Sequence, residues 1–278
     1  MKMIETVHRE LWKCKIWFLE NIRYFKYKKY IKENNRFINA GEGKRCFVIG
    51  NGPSLTIDDL NTIHQHGEIS FSANKIYKLF DQTSWRPTYF AVCDTKLYMN
   101  YKEDIDQLEL EKFYPLDLFD KFVKNKQENI HLFSRIPFQF LNNKPRFNPN
   151  LFGRFSEGGT ITYHLLQLAV AMGFKEIYLL GIDFSFSWGI GPDGKYFENP
   201  TVKDHFSADK TKCDTMPNLY YNLQAYKAAK KYADSHGIKI YNATRGGKLE
   251  VYERINFDDL FKTDKNMKKE TTNTVLGG

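Results

Sequence analysis

Cysteine is scarce in this chain and shows no pairing pattern. Four occur, Cys14, Cys46, Cys93 and Cys213, and none form a C-x-x-C pair. That spacing gives no sign of a disulfide framework or a thiolate metal site, and a reducing, cytosolic compartment is the simplest expectation. The start of the chain lacks the n-region, apolar core and A-x-A site of a secretory leader. Long hydrophobic runs are missing as well: the longest uncharged stretch, Gly158 to Phe174, contains His164 and Gln167 and falls short of the ~20 apolar residues of a spanning helix. No transmembrane segment is expected. Metal-ligand spacing is equally thin, since the one Asp-x-Asp, Asp104-Ile105-Asp106, falls in a charged, helix-like stretch, so neither a metal nor another cofactor is expected.

Apolar and aromatic residues are plentiful, at 42% and 16% of 278 residues. That suffices for one large α/β domain or two small ones, and excludes general disorder. Net charge is +8, but it is not spread evenly. Residues 1–45 hold twelve Lys and Arg against five Asp and Glu, whereas the remainder holds 29 against 28. The basicity therefore belongs to one segment.

In that segment Ile4, Val7, Leu11, Cys14, Phe18, Ile22 and Phe25 recur at steps of three and four, the stripe of an amphipathic helix. Trp12, Trp17, Tyr24, Tyr27 and Tyr30 interleave with Lys13, Lys15, Arg23, Lys26, Lys28 and Lys29. Such interleaving suits an anionic membrane surface, with aromatics at the headgroups and about 1 kcal/mol from each nearby cation. The alternative is a helix packed on the body or on a second subunit, with homo-oligomerisation left open. Nucleic acid is not an expected partner. Residues 1–43 thus read as a basic helical segment, residues 44–262 as the body, and residues 263–278 as a polar, disordered tail.

The body opens on Cys46-Phe47-Val48-Ile49, a strand-like run, followed by Gly50-Asn51-Gly52-Pro53-Ser54 and then Ile57, Leu60 and Ile63 at helical spacing. Strand, glycine-rich turn and helix begin a nucleotide-binding α/β unit. Further strands are expected at Ile69–Ser72, Tyr89–Val92, Ile130–Phe133, Glu176–Leu180 and Lys239–Tyr241, with helices over Thr160–Met172 and Leu219–His236 and a charged helix-prone stretch from Lys96 to Lys126. This alternation argues for a Rossmann-like, doubly wound, mostly parallel sheet. Two irregular insertions interrupt it, Phe133–Phe155 and Phe184–Pro217, and the second reads as a lid. No internal repeat is visible.

Glycines at 50 and 52 remove side chains where a phosphate or ribose would approach the backbone, with Asn51 at the strand end and Ser54 placed to cap the next helix. Polar residues stand at other strand ends, Asn74, Asp94, Asp183 and Asn242, where open α/β sheets bind ligands. Each is also a plausible cap or turn residue. Gly158-Gly159-Thr160 repeats the glycine-rich entrance before a second helix. His205, between Asp204 and Phe206 in the lid, has the residue type for a general base. His131 and His164 sit in apolar patterns and read as core histidines.

Two segments, Val48-Ile49-Gly50-Asn51-Gly52-Pro53-Ser54-Leu55 and Ala171-Met172-Gly173-Phe174-Lys175-Glu176-Ile177-Tyr178-Leu179-Leu180-Gly181-Ile182-Asp183-Phe184, resemble the bacterial family-42 sialyltransferases. They also resemble the wider superfamily that includes motility accessory factors and the archaeal pterin pyrophosphokinase-like domain. The resemblance covers roughly Lys44 to Phe261. It implies a glycosyltransferase-A-like variant of the Rossmann fold with a lid, acting as a metal-independent, inverting transferase. The implied donor is a CMP-activated nonulosonic acid and the acceptor a glycan or lipid-linked glycan. It further implies nucleotide or donor contacts at Asn51, Ser54, Asn74 and Asp94, the last where the family carries Asn. Gly158 to Thr160 would be the donor helix entrance and His205 the lid base. Of the two tyrosines that stabilise the leaving phosphate in that family, the first position is Ser185 here and the second corresponds to Tyr196. A peripheral location on the inner face of the membrane would fit such a transferase. The alternatives are a noncatalytic nucleotide- or glycan-binding protein and a Mg²⁺-dependent pyrophosphokinase-type enzyme using carboxylates such as Asp94 and Asp183.

Overall fold

Side-chain alternation along β1, Arg45–Ile49, sets the layers: Cys46 and Val48 enter one core, Phe47 and Ile49 the other, and all four are fully buried. A strand with two buried faces needs helices on both sides. The computed structural model describes residues 2–123, 125–136, 145–199, 201, 203–204 and 216–262. In it β1 pairs in parallel with β2, Ile69–Ala73, and with β7, Glu176–Leu180. Beyond β2 lie β3, Tyr89–Ala91, β4, Glu111–Pro115, β5, Ile130–Ile136, and β6, Arg154–Ser156. Beyond β7 lie β10, Lys239–Asn242, and β11, Glu253–Arg254. All pairings in this nine-stranded sheet are parallel. The chain winds outward from β1 to β6 and returns to β7 on the other side of β1, so these two strands flank the switch point of a doubly wound Rossmann-like fold.

Helices α6, Ile161–Ala171, and α7, Leu219–Ser235, cover one face, where Leu165, Ala169, Ala225 and Ala229 join Val48, Phe71 and Leu179. The other face carries α2, Ile57–Gln65, α3, Thr95–Asn100, α4, Lys102–Asp106, the single turn α5, Leu116–Leu118, and the second half of α1, Lys2–Lys32. Leu60, Ile63, Tyr98, Ile105, Leu116, Tyr27 and Ile31 pack there on Phe47, Ile49 and Tyr114. The described side chains in the first half of α1 are exposed or half-buried. An antiparallel hairpin of β8, Trp188–Ile190, and β9, Tyr196–Glu198, occupies the start of the lid.

The helix-prone reading of Lys96–Lys126 is corrected by β4, which runs through its middle between β3 and β5. Lys112 hides the strand in the sequence: its side chain is fully buried, and its ammonium donates to the Asp106 carbonyl at 3.0 Å. Burial lowers the Lys112 pKa. The cap of α2 also differs from expectation. Thr56, not Ser54, is the N-cap, in a capping box where Thr56 Oγ1 accepts from the Asp59 amide and Asp59 accepts from the Thr56 amide.

Candidate functional site

A cavity of about 770 Å³ lies over the carboxyl ends of β1, β2, β3 and β7. Gly50, Asn51, Gly52, Asn74, Asp94, Gly159, Thr160, Asp183 and Ser185 all line it. Ser54 and Gly158 stand just behind. The Ser54 hydroxyl donates to Asp183 Oδ2 at 2.8 Å, and a side chain on Gly158 would strike the Tyr163 ring. Tyr196 is not brought to the cavity: it lies on β9, 58% exposed. His205 lies outside the described residues, as do much of the lid and the tail 263–278. Asn242 ties the β10 turn together, donating to the Leu249 carbonyl and accepting from the Thr244 amide.

The glycines of the first turn have a packing cause. The amides of Gly50 and Gly52 donate to the carbonyls of Leu180 and Gly181 at 2.8 and 2.9 Å, stitching the two switch-point strands together. A Cβ at position 52 would lie 2.6 Å from the Gly181 carbonyl oxygen and inside the Asp183 carboxylate. Ligand approach is thus not the only reason for glycine here.

Asn51 and Asn74 offer ligand-facing acceptors. Asn51 Nδ2 donates to the Ala73 carbonyl at 3.0 Å, which fixes the amide and leaves its Oδ1 buried without a partner. Asn74 adopts a left-handed backbone at φ 58, and its Oδ1 is likewise buried and unsatisfied. Buried acceptors without donors are rare, and two at adjacent strand ends suit the N–H or O–H groups of a nucleoside.

The two carboxylates of the cavity are engaged by the protein. Asp94 caps α3, accepting from the amides of Lys96 and Leu97 at 2.8 and 3.0 Å. Asp183 accepts from Ser54, and burial pushes its pKa up. Among the described residues no group of three His, Cys, Asp or Glu is placed to hold a metal ion.

The cavity also carries a charged wall that sequence patterns did not single out. Arg135 on β5 forms a two-point ion pair with Asp117, at 3.0 and 2.6 Å, and reaches Glu157 Oε1 at 3.2 Å. The same oxygen lies 3.5 Å from His164 Nε2 on α6. Burial opposes ionisation of Glu157, yet His164 and Arg135 hold its pKa near 2. Burial likewise opposes charge on His164, but Glu157 and the adjacent Cys93 outweigh it and raise its pKa to about 10. Cys93, Arg135, Glu157 and His164 all line the cavity. The signal available in the sequence was a basic residue inside an otherwise apolar helix, which a core histidine also explains.

Helix α6 begins at this wall. Gly159 takes the left-handed conformation at φ 71, Thr160 makes no side-chain cap, and the first turn carries no acid. An uncapped helix start of this kind favours anions. The Tyr226 hydroxyl interacts with Thr160 and Thr162, and burial raises its pKa to about 12. Tyr221, also in the wall, donates to the Glu157 carbonyl at 3.0 Å.

The family described as "6-hydroxymethylpterin diphosphokinase MptE-like" matches residues 18–189. No curated protein matches the chain. Among solved structures, the MAf glycosyltransferase from Magnetospirillum magneticum AMB-1 is similar over 77% of this chain, at 16% identity and a TM-score of 0.49. The alignment spans 34% of that protein, about a third of its length.

Proposed function

The chain belongs to the MptE-like family, and on that premise we propose that its cavity binds a nucleotide-activated sugar and that the protein is a metal-independent, inverting glycosyltransferase. The donor of this reading is a CMP-activated, sialic-acid-like nonulosonic acid, and the acceptor is a surface glycan or its lipid-linked precursor. The observation that carries it is the distribution of charge in the cavity. Asp94 and Asp183 are held by protein donors, Arg135 and His164 are balanced by Asp117 and Glu157, and the uncapped start of α6 faces the same space. That arrangement supports stabilising a departing phosphate by the helix-end amides and dipole.

In the mechanism His205 takes the proton of the acceptor hydroxyl as the oxygen attacks the anomeric carbon, while the nucleoside phosphate leaves towards the wall. Asn51 and Asn74 accept from the nucleoside. Tyr226 supplies the phenol that Ser185 lacks and that Tyr196, out on its hairpin, does not bring to the cavity.

The family description favours a second reading, transfer of a diphosphate from ATP, in which carboxylates such as Asp94 and Asp183 would hold Mg²⁺ to neutralise the ATP phosphates. CMP release from a CMP-activated donor, followed with EDTA present, separates the two. The glycosyltransferase reading expects release to continue unchanged. Activity confined to ATP and abolished by EDTA would replace it.

Residues 1–40 belong to the same proposal as an anchor on an anionic membrane, at its inner face. Among the described residues, Val7, Leu11, Trp12, Trp17, Phe18, Leu19, Ile22 and Phe25 of α1 are exposed large hydrophobics. Leu11, Phe18, Ile22 and Phe25 share the helix face opposite Tyr27 and Ile31, which are buried in the body. No described helix is long and apolar enough to cross a membrane.

A further inference from the structure

A second concavity, of about 930 Å³, adjoins the first. Phe184 belongs to the wall of both, and its backbone is held at φ 52, the left-handed region that a phenylalanine seldom adopts. Beyond Phe184 the floor is apolar, formed by Leu223 of α7 and Val251, and lysines stand round it. Two acids also reach the groove, but each is matched. Asp234 accepts from Lys230 at 2.9 and 3.0 Å, and Glu250 accepts from Arg254 at 2.7 Å. Lys227, Lys231 and Lys248 line the groove with no acid opposite them among the described residues.

Lys248 is fastened to the candidate site. Its amide donates to the Asp183 carbonyl at 2.8 Å. Gly247 before it, at φ 73, permits that approach, since a Cβ there would lie 2.9 Å from the same oxygen. Asp183 and Phe184 therefore form a partition, with the cavity on one side and three uncompensated ammonium groups over an apolar floor on the other.

We propose that this groove is the acceptor subsite and that the acceptor is an acidic glycan. Lys227, Lys231 and Lys248 hold its phosphate or carboxylate, a sugar ring lies on Leu223 and Val251, and the reacting hydroxyl passes Phe184 into the cavity. The acceptor role rests on the glycosyltransferase reading; the anion-binding groove does not. Rim charges of this kind are individually weak and are screened by salt, so the lysines select for acidic ligands and the floor adds apolar burial.

Calorimetry on the full chain tests this with three probes: a disaccharide carrying a phosphate monoester, one carrying a uronic acid, and their neutral parent. The acidic probes are expected to bind at least about tenfold more tightly than the parent, equivalent to ~1.4 kcal/mol. The stronger of the two identifies phosphate or carboxylate as the natural group. In Lys227→Glu/Lys231→Glu that preference is expected to vanish with the melting curve unchanged, both side chains being exposed. Equal binding of neutral and acidic probes, or an unaltered preference in the double variant, overturns the proposal. CMP titrated in parallel keeps the two readings apart: acidic-probe binding without CMP binding leaves the groove standing and removes its acceptor role.

Discussion

Burial alone would keep His164 neutral, so its charge depends on an acid placed closely enough to outweigh desolvation. Glu157 does this from 3.5 Å, with its own ionisation secured by Arg135. The sign of the pH effect follows. A histidine whose folded pKa rises from 6.5 to about 10 contributes stability in full below its unfolded value and loses it as pH climbs through 10. Glu157, at about 2, contributes above its ordinary 4.5 and loses it as pH falls towards 2. Denaturant unfolding of the wild type should therefore weaken between neutral pH and about 10 more steeply than that of His164→Gln. Parallel curves for the two proteins would show that His164 is neutral in the fold.

Elements were legible where periodicity and turn chemistry agreed. The run Cys46–Ile49, the glycine turn after it and the apolar pattern of Thr160–Met172 gave β1 and α6, because two buried faces leave a continuous hydrophobic signature. β4 was not legible, since Lys112 spends its charge on backbone carbonyls that only the folded chain brings near. β6 and β11 have three and two residues, too short for a period. The cavity was half legible for the same reason: strand-end residues such as Asn51, Asn74 and Asp183 are marked by local sequence, whereas Arg135, Glu157 and His164 meet only through tertiary packing. Capping shows how local the legible part is. Thr56→Ala removes one side of the α2 capping box and should cost about 1 kcal/mol in urea unfolding, with no change in ligand binding. A neutral result would mean that Asp59, which also pairs with Arg245, holds the helix start alone.

Across the whole molecule the uneven charge takes on a direction. The basic segment carries the helix whose outer face is apolar and open, while the sheet and its cavity belong to a body of nearly balanced charge. Leu11→Glu/Phe18→Glu places acids on that outer face without touching the core, both side chains being about 60% exposed. The double variant should lose co-sedimentation with vesicles containing anionic lipid while keeping the wild-type melting temperature; retained binding would remove the anchor from the account. The chain belongs to the MptE-like family, and nucleotide preference is what separates the sugar-transfer proposal from the diphosphate-transfer one.

Calorimetric titration of the wild type and Asn51→Ala with CMP in EDTA tests the central claim most directly. The unsatisfied Asn51 Oδ1 at the switch point predicts CMP binding without divalent cation and about tenfold weaker binding in the variant, the loss of roughly 1.4 kcal/mol expected for one buried hydrogen bond. Absence of CMP binding, with ATP bound only when Mg²⁺ is restored, would contradict it.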